Sequence, residues 1–342
     1  GVEICKKYIP RKSSGEYHGG PNKVKAKAKN YAPTFYEHVE TEQLAYHLND
    51  FHAGDVVELT LKIHGTSGRT GYLPLVHTKR TWVDKLFRRH GKDYLEYGYV
   101  TGTRRVVLSP ERTGGFYESD DFRHAMEEKF AGKLHKGEVA YYEIAGFQGP
   151  HGAPIMPTVS TKGDKEIEAQ YGKQMEFSYG CDPNNGYDGA SYDEAGFLAY
   201  FEPCCDIYVY RMTQVNEDGD VVELSPDQMR YRCEQMGIKT VPLFERFIIP
   251  ETELTYNDGA EKEYQFVDPG EYVLRKVEKY FDGPDPIGKT HVREGVVTRV
   301  VSAPTIKVFK HKNFTFKFVE GLAKDAAAAP DIEEAQDESL QV

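Results

Sequence analysis

Alternation of apolar and polar residues dominates the chain between residues 55 and 318. Segment 55–63, DVVELTLKI, sends successive side chains to opposite faces, the pattern of a half-buried strand. Residues 72–78, 95–103 and 104–108 read likewise, and 138–146, 205–212, 293–301 and 305–318 return to the same pattern. Three segments break it with helix grammar. Ser119 precedes 120–132, which has acids in its first turn and a closing Gly132; Ser225-Pro226 opens 225–237; Pro269 opens 269–283, which ends at Gly283. Strands and helices in this irregular order exclude a regular βαβ series. They predict an α+β fold of mostly antiparallel sheets with flanking helices.

The ends of the chain differ from its middle. Residues 1–29 are rich in Lys, Gly and Ser and are expected to be irregular. Residues 30–320 read as one domain. Residues 321–342, alanine-rich and then acidic, are expected to be a disordered tail. The Gly- and Pro-rich stretch 145–200 is long for a loop in a compact domain, which marks it as functional or mobile.

Composition excludes several function classes. At 39% hydrophobic residues the chain can bury a substantial core. Its five cysteines contain no C-x-x-C pair, which argues against a zinc ribbon and a disulfide scaffold. No apolar run approaches the length of a membrane span, so a soluble protein of a reducing compartment is expected. The net charge of −11 is unevenly placed: Lys79 to Arg105 holds eight bases against Asp84, Asp93 and Glu96. An acidic chain can still present a basic groove to phosphate.

The segment most suggestive of chemistry is Lys62-Ile63-His64-Gly65-Thr66-Ser67, at the end of a predicted strand. A lysine placed there can act as an amine nucleophile, and the glycine leaves room for close approach to the backbone. Five further segments accompany it in order: Thr103-Arg104-Arg105, Tyr142-Glu143-Ile144-Ala145-Gly146, Asp206 to Tyr210, Glu294-Gly295-Val296-Val297, and Lys310-His311-Lys312-Asn313. Tyr208 and Tyr210 lie two apart and share a face of a regular strand, whereas Arg104 and Arg105 point to opposite faces, so at most one enters a pocket.

Taken together these segments resemble the covalent nucleotidyltransferase superfamily, and within it the RNA ligases of the phage nick-sealing type. The resemblance covers residues 55 to 318 and implies an ATP-grasp-like ligase adenylation domain. It implies that Lys62 takes AMP from ATP, with His64 and Gly65 beside it. Arg104 or Arg105 would contact ribose and phosphate, Glu143 the ribose, and Tyr210 the adenine face. Glu294 would bind Mg²⁺ or Mn²⁺, and Lys310 and Lys312 would hold the phosphates. The implied partner is RNA with 5′-phosphate and 3′-hydroxyl ends. Neither a membrane nor an obligate protein partner is expected, and the implied state is a monomer in the cytoplasm, including a host cytoplasm if phage-encoded. Ser67 and Leu61 depart from the family pattern, where asparagine and an acid are common. With thirty residues after Lys312, no accessory C-terminal domain is expected. A DNA ligase, a capping guanylyltransferase and a non-catalytic nucleic-acid-binding module of the same fold are the rival readings. The bases between Lys79 and Arg105 are expected to flank the active-site groove.

Overall fold

The computed structural model describes residues 31–39, 41–108, 121–188, 190–192, 198–200, 202–256, 262–303 and 305–319. The expectations for 1–29 and 321–342 lie outside the described residues. Two five-stranded sheets carry the architecture. The first is ordered β1 (Glu42–Gln43), β16 (Val308–Lys312), β15 (Gly295–Val300), β2 (Val56–Lys62) and β12 (Leu243–Ile248). The second is ordered β11 (Val221–Glu223), β10 (Cys205–Val215), β5 (Glu138–Gly146), β3 (Thr66–Lys79) and β4 (Lys92–Gly102). Within both sheets every pairing of described strands is antiparallel except β1 with β16. Small hairpins pair β6 (Val159–Ser160) with β7 (Gln174–Met175), β8 (Ala190–Tyr192) with β9 (Leu198–Tyr200), and β13 (Thr252–Tyr256) with β14 (Lys262–Phe266).

Among the described residues six α-helices flank the sheets: α1 (Trp82–Leu86), α2 (Asp121–Glu128), α3 (Lys165–Tyr171), α4 (Pro226–Met236), α5 (Pro269–Phe281) and α6 (Phe314–Val319). Local chemistry sets their ends. Ser225 and Gln228 form a reciprocal capping box at α4, which stops where Gly237 adopts φ 67°. The Asp268 side chain accepts from the Glu271 N–H at the start of α5. Val273 and Val277 of α5 are fully buried with Val57 and Leu59 of β2 and Val296 of β15, which covers one face of the first sheet. A larger core joins Phe122 and Met126 of α2 and Met229 and Cys233 of α4 to Tyr142, Ile144 and Ile207 of the second sheet. No described helix is long and apolar enough to cross a membrane.

Three segments depart from the sequence reading. Residues 104–108 are not a strand but a tight turn, closed by Thr103 N–H donating to the Val106 carbonyl, with one bridge from Gly102 to Val107. Residues 305–318 are not one strand: β16 ends at Lys312, and the Asn313 side chain accepts from the Thr315 N–H to start α6. Phe314 is 68% exposed and Phe316 is fully buried, a difference two residues apart that strand alternation does not produce. Stretch 145–200 has no large element, but β6, α3 and β7 fold back so that Phe177 and Tyr179 reach the core.

Candidate active site

The two sheets are joined by a turn that crosses between them. β2 ends at Lys62 in the first sheet and β3 begins at Thr66 in the second, so Ile63, His64 and Gly65 make the whole passage. Gly65 is required by contact with β5: a Cβ there would lie 2.4 Å from the Ile144 carbonyl oxygen and 2.9 Å from Glu143 Cγ. The His64 N–H donates to the Tyr179 hydroxyl at 2.6 Å. Its ring is 2% exposed and packs edge-on against Phe177 at 4.7 Å and Phe316 at 4.8 Å. Neither His64 nor Gly65 is among the residues lining the cleft described below; both shape the turn that carries Lys62. Arg123 of α2 completes the support, donating to the Ser67 carbonyl at 2.9 Å and to Thr66 Oγ1 at 2.8 Å.

Tyr179 was not singled out in the sequence, because nothing local connects it to a turn 115 residues away. Burial pushes its hydroxyl pKa well above the ordinary value, helped by the nearby Asp285 and Glu294 carboxylates, so it stays protonated. Tyr179→Phe would leave a buried backbone N–H without its acceptor, which costs about 1–3 kcal/mol. The expected result is a lower urea midpoint together with slower modification of Lys62 in the folded protein. A lower midpoint with the modification rate unchanged would show that the turn does not need this contact.

The cleft floor is a lattice set by strand register. Lys62 of β2, Gly295 of β15 and Lys312 of β16 lie opposite one another in one row. Two residues further come Thr60, Val297 and Lys310, then Glu58, Arg299 and Val308. Side chains opposite each other or two residues apart share a face. This explains why the last two rows and Lys62 all line the same cleft. Glu294, fully buried just before β15, places one carboxylate oxygen 2.7 Å from Lys62 Nζ and 3.1 Å from Lys312 Nζ. One anion thus holds two buried cations together.

The second sheet supplies the facing wall. Ser67 and Glu143 are paired across β3 and β5, with Ser67 Oγ 3.4 Å from Glu143 Oε2. In β10 the register against β5 shifts between Val209 and Arg211, leaving Tyr210 as an extra residue. That bulge lets two consecutive residues, Tyr210 and Arg211, both line the cleft. Tyr208, opposite Glu143 in the register, is 3% exposed, donates to the Tyr179 carbonyl and is not part of the lining. The tight turn after β4 puts Arg104 into the cleft, 9% exposed with its Nε lacking a hydrogen-bond partner, whereas Arg105 stays off the lining.

The cleft is partly open to solvent, and its empty space, open solvent included, amounts to about 1070 Å³. Its lining carries Lys62, Arg104, Arg211, Arg230, Arg299 and Lys310 against Glu58 and Glu143, so it is locally cationic in a chain of net charge −11. Glu58 receives two hydrogen bonds from Arg230, and Glu223 ties Arg211 to Arg299, which fixes one end. His38 sits among these cations. Burial first, and then the Arg211, Arg104 and Arg69 guanidiniums, push its pKa down to about 3, so it is a neutral ring beside Tyr210, 5.0 Å away edge-on.

No family model matches the sequence, and no curated protein does. Similar solved structures include RNA ligases. A Naegleria gruberi RNA ligase mutant with AMP and manganese is 13% identical, with a TM-score of 0.44 over 86% of this chain and 60% of that one. The same enzyme with pyrophosphate gives 13% identity and a TM-score of 0.45 over 94% of this chain and 65% of that one. The present chain therefore spans less than two thirds of the length of these neighbours. Likeness at that level assigns no activity, and the functional reading rests on the cleft's own residues.

The two arginines give a direct comparison. Arg104→Ala removes a guanidinium that lines the cleft, and Arg105→Ala one that does not. With ATP as substrate we expect KM to rise at least about tenfold for the first and less than about threefold for the second, as charged phosphate contacts usually behave. Equal effects would mean that the turn matters, not the residue that enters.

Proposed function

We propose that the chain is an ATP-dependent RNA ligase that joins 5′-phosphate and 3′-hydroxyl ends through AMP carried on Lys62. The observation that carries this reading is the position of Lys62, which pairs with Glu294 at 2.7 Å where the two sheets meet, at the edge of a cationic cleft. The motif resemblance, which implies a nucleophilic lysine at this residue, supports the reading. In the first step the neutral Lys62 amine attacks the α-phosphorus, the Nζ–P bond forms, and the bond to the pyrophosphate oxygen breaks. The attacking nitrogen gives up a proton. In the second, a 5′-phosphate oxygen displaces Lys62 and takes the AMP; in the third, a 3′-hydroxyl displaces AMP and seals the strand.

Lys310, Lys312 and Arg104 supply fixed cations for charge developing on phosphate oxygens. Glu143 faces the cleft where it can accept from ribose hydroxyls, and Tyr210 offers an aromatic surface to the base. A divalent ion fits this donor set in one respect. Among the described residues no three His, Cys, Asp or Glu side chains converge on one point, but Glu294 stands beside the nucleophile. Mg²⁺ keeps waters and substrate phosphates around one or two carboxylates, so Glu294 alone is enough on the protein side. When bound, the ion would neutralise phosphate charge.

Intact mass after incubation with ATP and Mg²⁺ tests the first step. The expected result is an increase equal to one AMP, with none from GTP. Matched substrates ending in a 3′-ribose or a 3′-deoxyribose test the rest, because a 2′-hydroxyl is what separates RNA from DNA at that end. Equal sealing of both would replace RNA ligase with a DNA-joining enzyme. A GTP adduct would replace it with a capping enzyme.

A further inference from the structure

Of the basic stretch from Lys79 to Arg105, Arg104 lines the cleft, whereas none of the six bases from Lys79 to Lys92 does. β3 begins beside Lys62 and runs fourteen residues to Lys79, which at about 3.3 Å per residue carries the chain roughly 40 Å outward. From His77 on, both strands are exposed: the last three residues of β3 and the first five of β4 bury nothing. α1 caps the end. Its geometry is built rather than frayed, with a reciprocal capping box between Thr81 and Asp84 and a left-handed Arg88 at φ 53° closing it.

This outward part carries Lys79, Arg80, Lys85, Arg88, Arg89 and Lys92. Against these six bases stand three acids, of which two are engaged: Asp84 accepts from Thr81, and Asp93 from Thr78 at 2.5 Å, while Glu96 is exposed. Among the cations stand large apolar side chains with no core to enter, Trp82 at 75%, Leu86 at 66% and Phe87 at 62% exposure. The Arg89 guanidinium lies over the Phe87 ring at 5.5 Å. Aromatic faces interleaved with cations suit a single strand of nucleic acid, whose bases stack while its phosphates pair.

We propose that this hairpin arm binds single-stranded RNA away from the reacting ends, stacking bases on Trp82 and Phe87 and pairing phosphates with Arg88 and Arg89. The proposal rests on the ligase reading for its substrate and extends that substrate's path far beyond the cleft. A strand held by both the arm and the cleft must be long enough to span the hairpin. Short oligonucleotides therefore engage one end at most.

Trp82 is the one tryptophan in the chain, so its fluorescence reports on the arm alone. The probe is 5′-phosphorylated oligouridylate, in a form of about twenty-four nucleotides and one of six, with affinity read separately by anisotropy of the labelled strand. We expect saturable quenching by the long form, with affinity falling about tenfold in Trp82→Ala. In the Arg88→Ser/Arg89→Ser pair the slope of affinity against salt should fall by about 1.4, two phosphates at about 0.7 each on a single strand. AMP adduct formation should be unchanged in all these variants. RNA binding by anisotropy with constant Trp82 fluorescence and unaltered variants would overturn the arm. So would quenching by phosphatidylserine vesicles with none by RNA. An adduct without any RNA binding overturns the arm and leaves the lysine chemistry standing. RNA quenching without an adduct sustains the arm and removes the ligase reading.

Discussion

Lys62→Ala is expected to abolish the AMP mass increase, a loss of at least about four orders of magnitude in adduct formation, since removal of a covalent nucleophile leaves nothing to accept the nucleotide. The fold should survive. The Lys62 side chain is 11% exposed and sits at a strand end, and Glu294 keeps its second partner, Lys312, at 3.1 Å. No buried carboxylate is stranded, so the variant should melt close to the parent. Intact mass and circular dichroism measured on the same sample decide the matter. A normal adduct in Lys62→Ala would move the nucleophile elsewhere, and Lys312 would be the first residue to test.

Glu294→Gln should produce the largest combined effect. It leaves the Lys62 and Lys312 ammonium groups around a neutral amide whose own position is fully buried. Breaking a buried ion pair from one side typically costs about 3–5 kcal/mol, and urea unfolding should show a loss of that order. Adduct formation should slow by at least about a hundredfold. The direction of that change is informative, because the carboxylate also favours the charged form of Lys62. If that were its only effect, its removal would free the amine and raise the rate. Slowing therefore indicates a carboxylate needed for the reaction, as a metal-holding group is. The double variant Glu294→Gln/Lys312→Met removes both partners and should recover much of the stability without recovering the reaction. Recovery of both would reduce Glu294 to a structural residue.

Much of the architecture was legible wherever a local rule decided the structure. Ser225, Pro226 and Gly237 bracket α4 through a capping box and a left-handed stop, both encoded within a dozen residues. The alternation in 55–63 and 138–146 marks β2 and β5 because each strand has one partner on either side and a full ladder. The sequence failed where the deciding contact is distant. A bulge against β5 makes Tyr210 an extra residue that lines the cleft together with Arg211, and nothing in 205–212 announces it. FTFKF reads as a strand, yet Asn313 caps it into a helix whose Phe316 packs on His64. The choice between Arg104 and Arg105 depended on a turn that was read as a strand. The rings that pack on His64 come from residues 177 and 316, which nothing near Lys62 in the sequence announces. The pocket's arginines at 211, 230 and 299 carried no motif at all, since each is drawn in by an acid elsewhere in the chain.

The row Lys62–Gly295–Lys312 has one more implication. Its two lysines are rooted one strand apart on either side of a residue with no side chain, at twice the spacing of paired strands, roughly 9.6 Å between backbones. A Cβ at Gly295 would fall 2.1 Å from the His311 carbonyl oxygen, so the gap in the middle of the row stays open. Peptide hydrogen bonds thus serve as a ruler for the backbone spacing, while the shared Glu294 oxygen, 2.7 Å and 3.1 Å from the two ammonium groups, draws the charges themselves closer. Loop drift leaves the backbone spacing unaltered. Only a slip of a whole strand would change it, and a slip of one residue would turn the lysines to the opposite face.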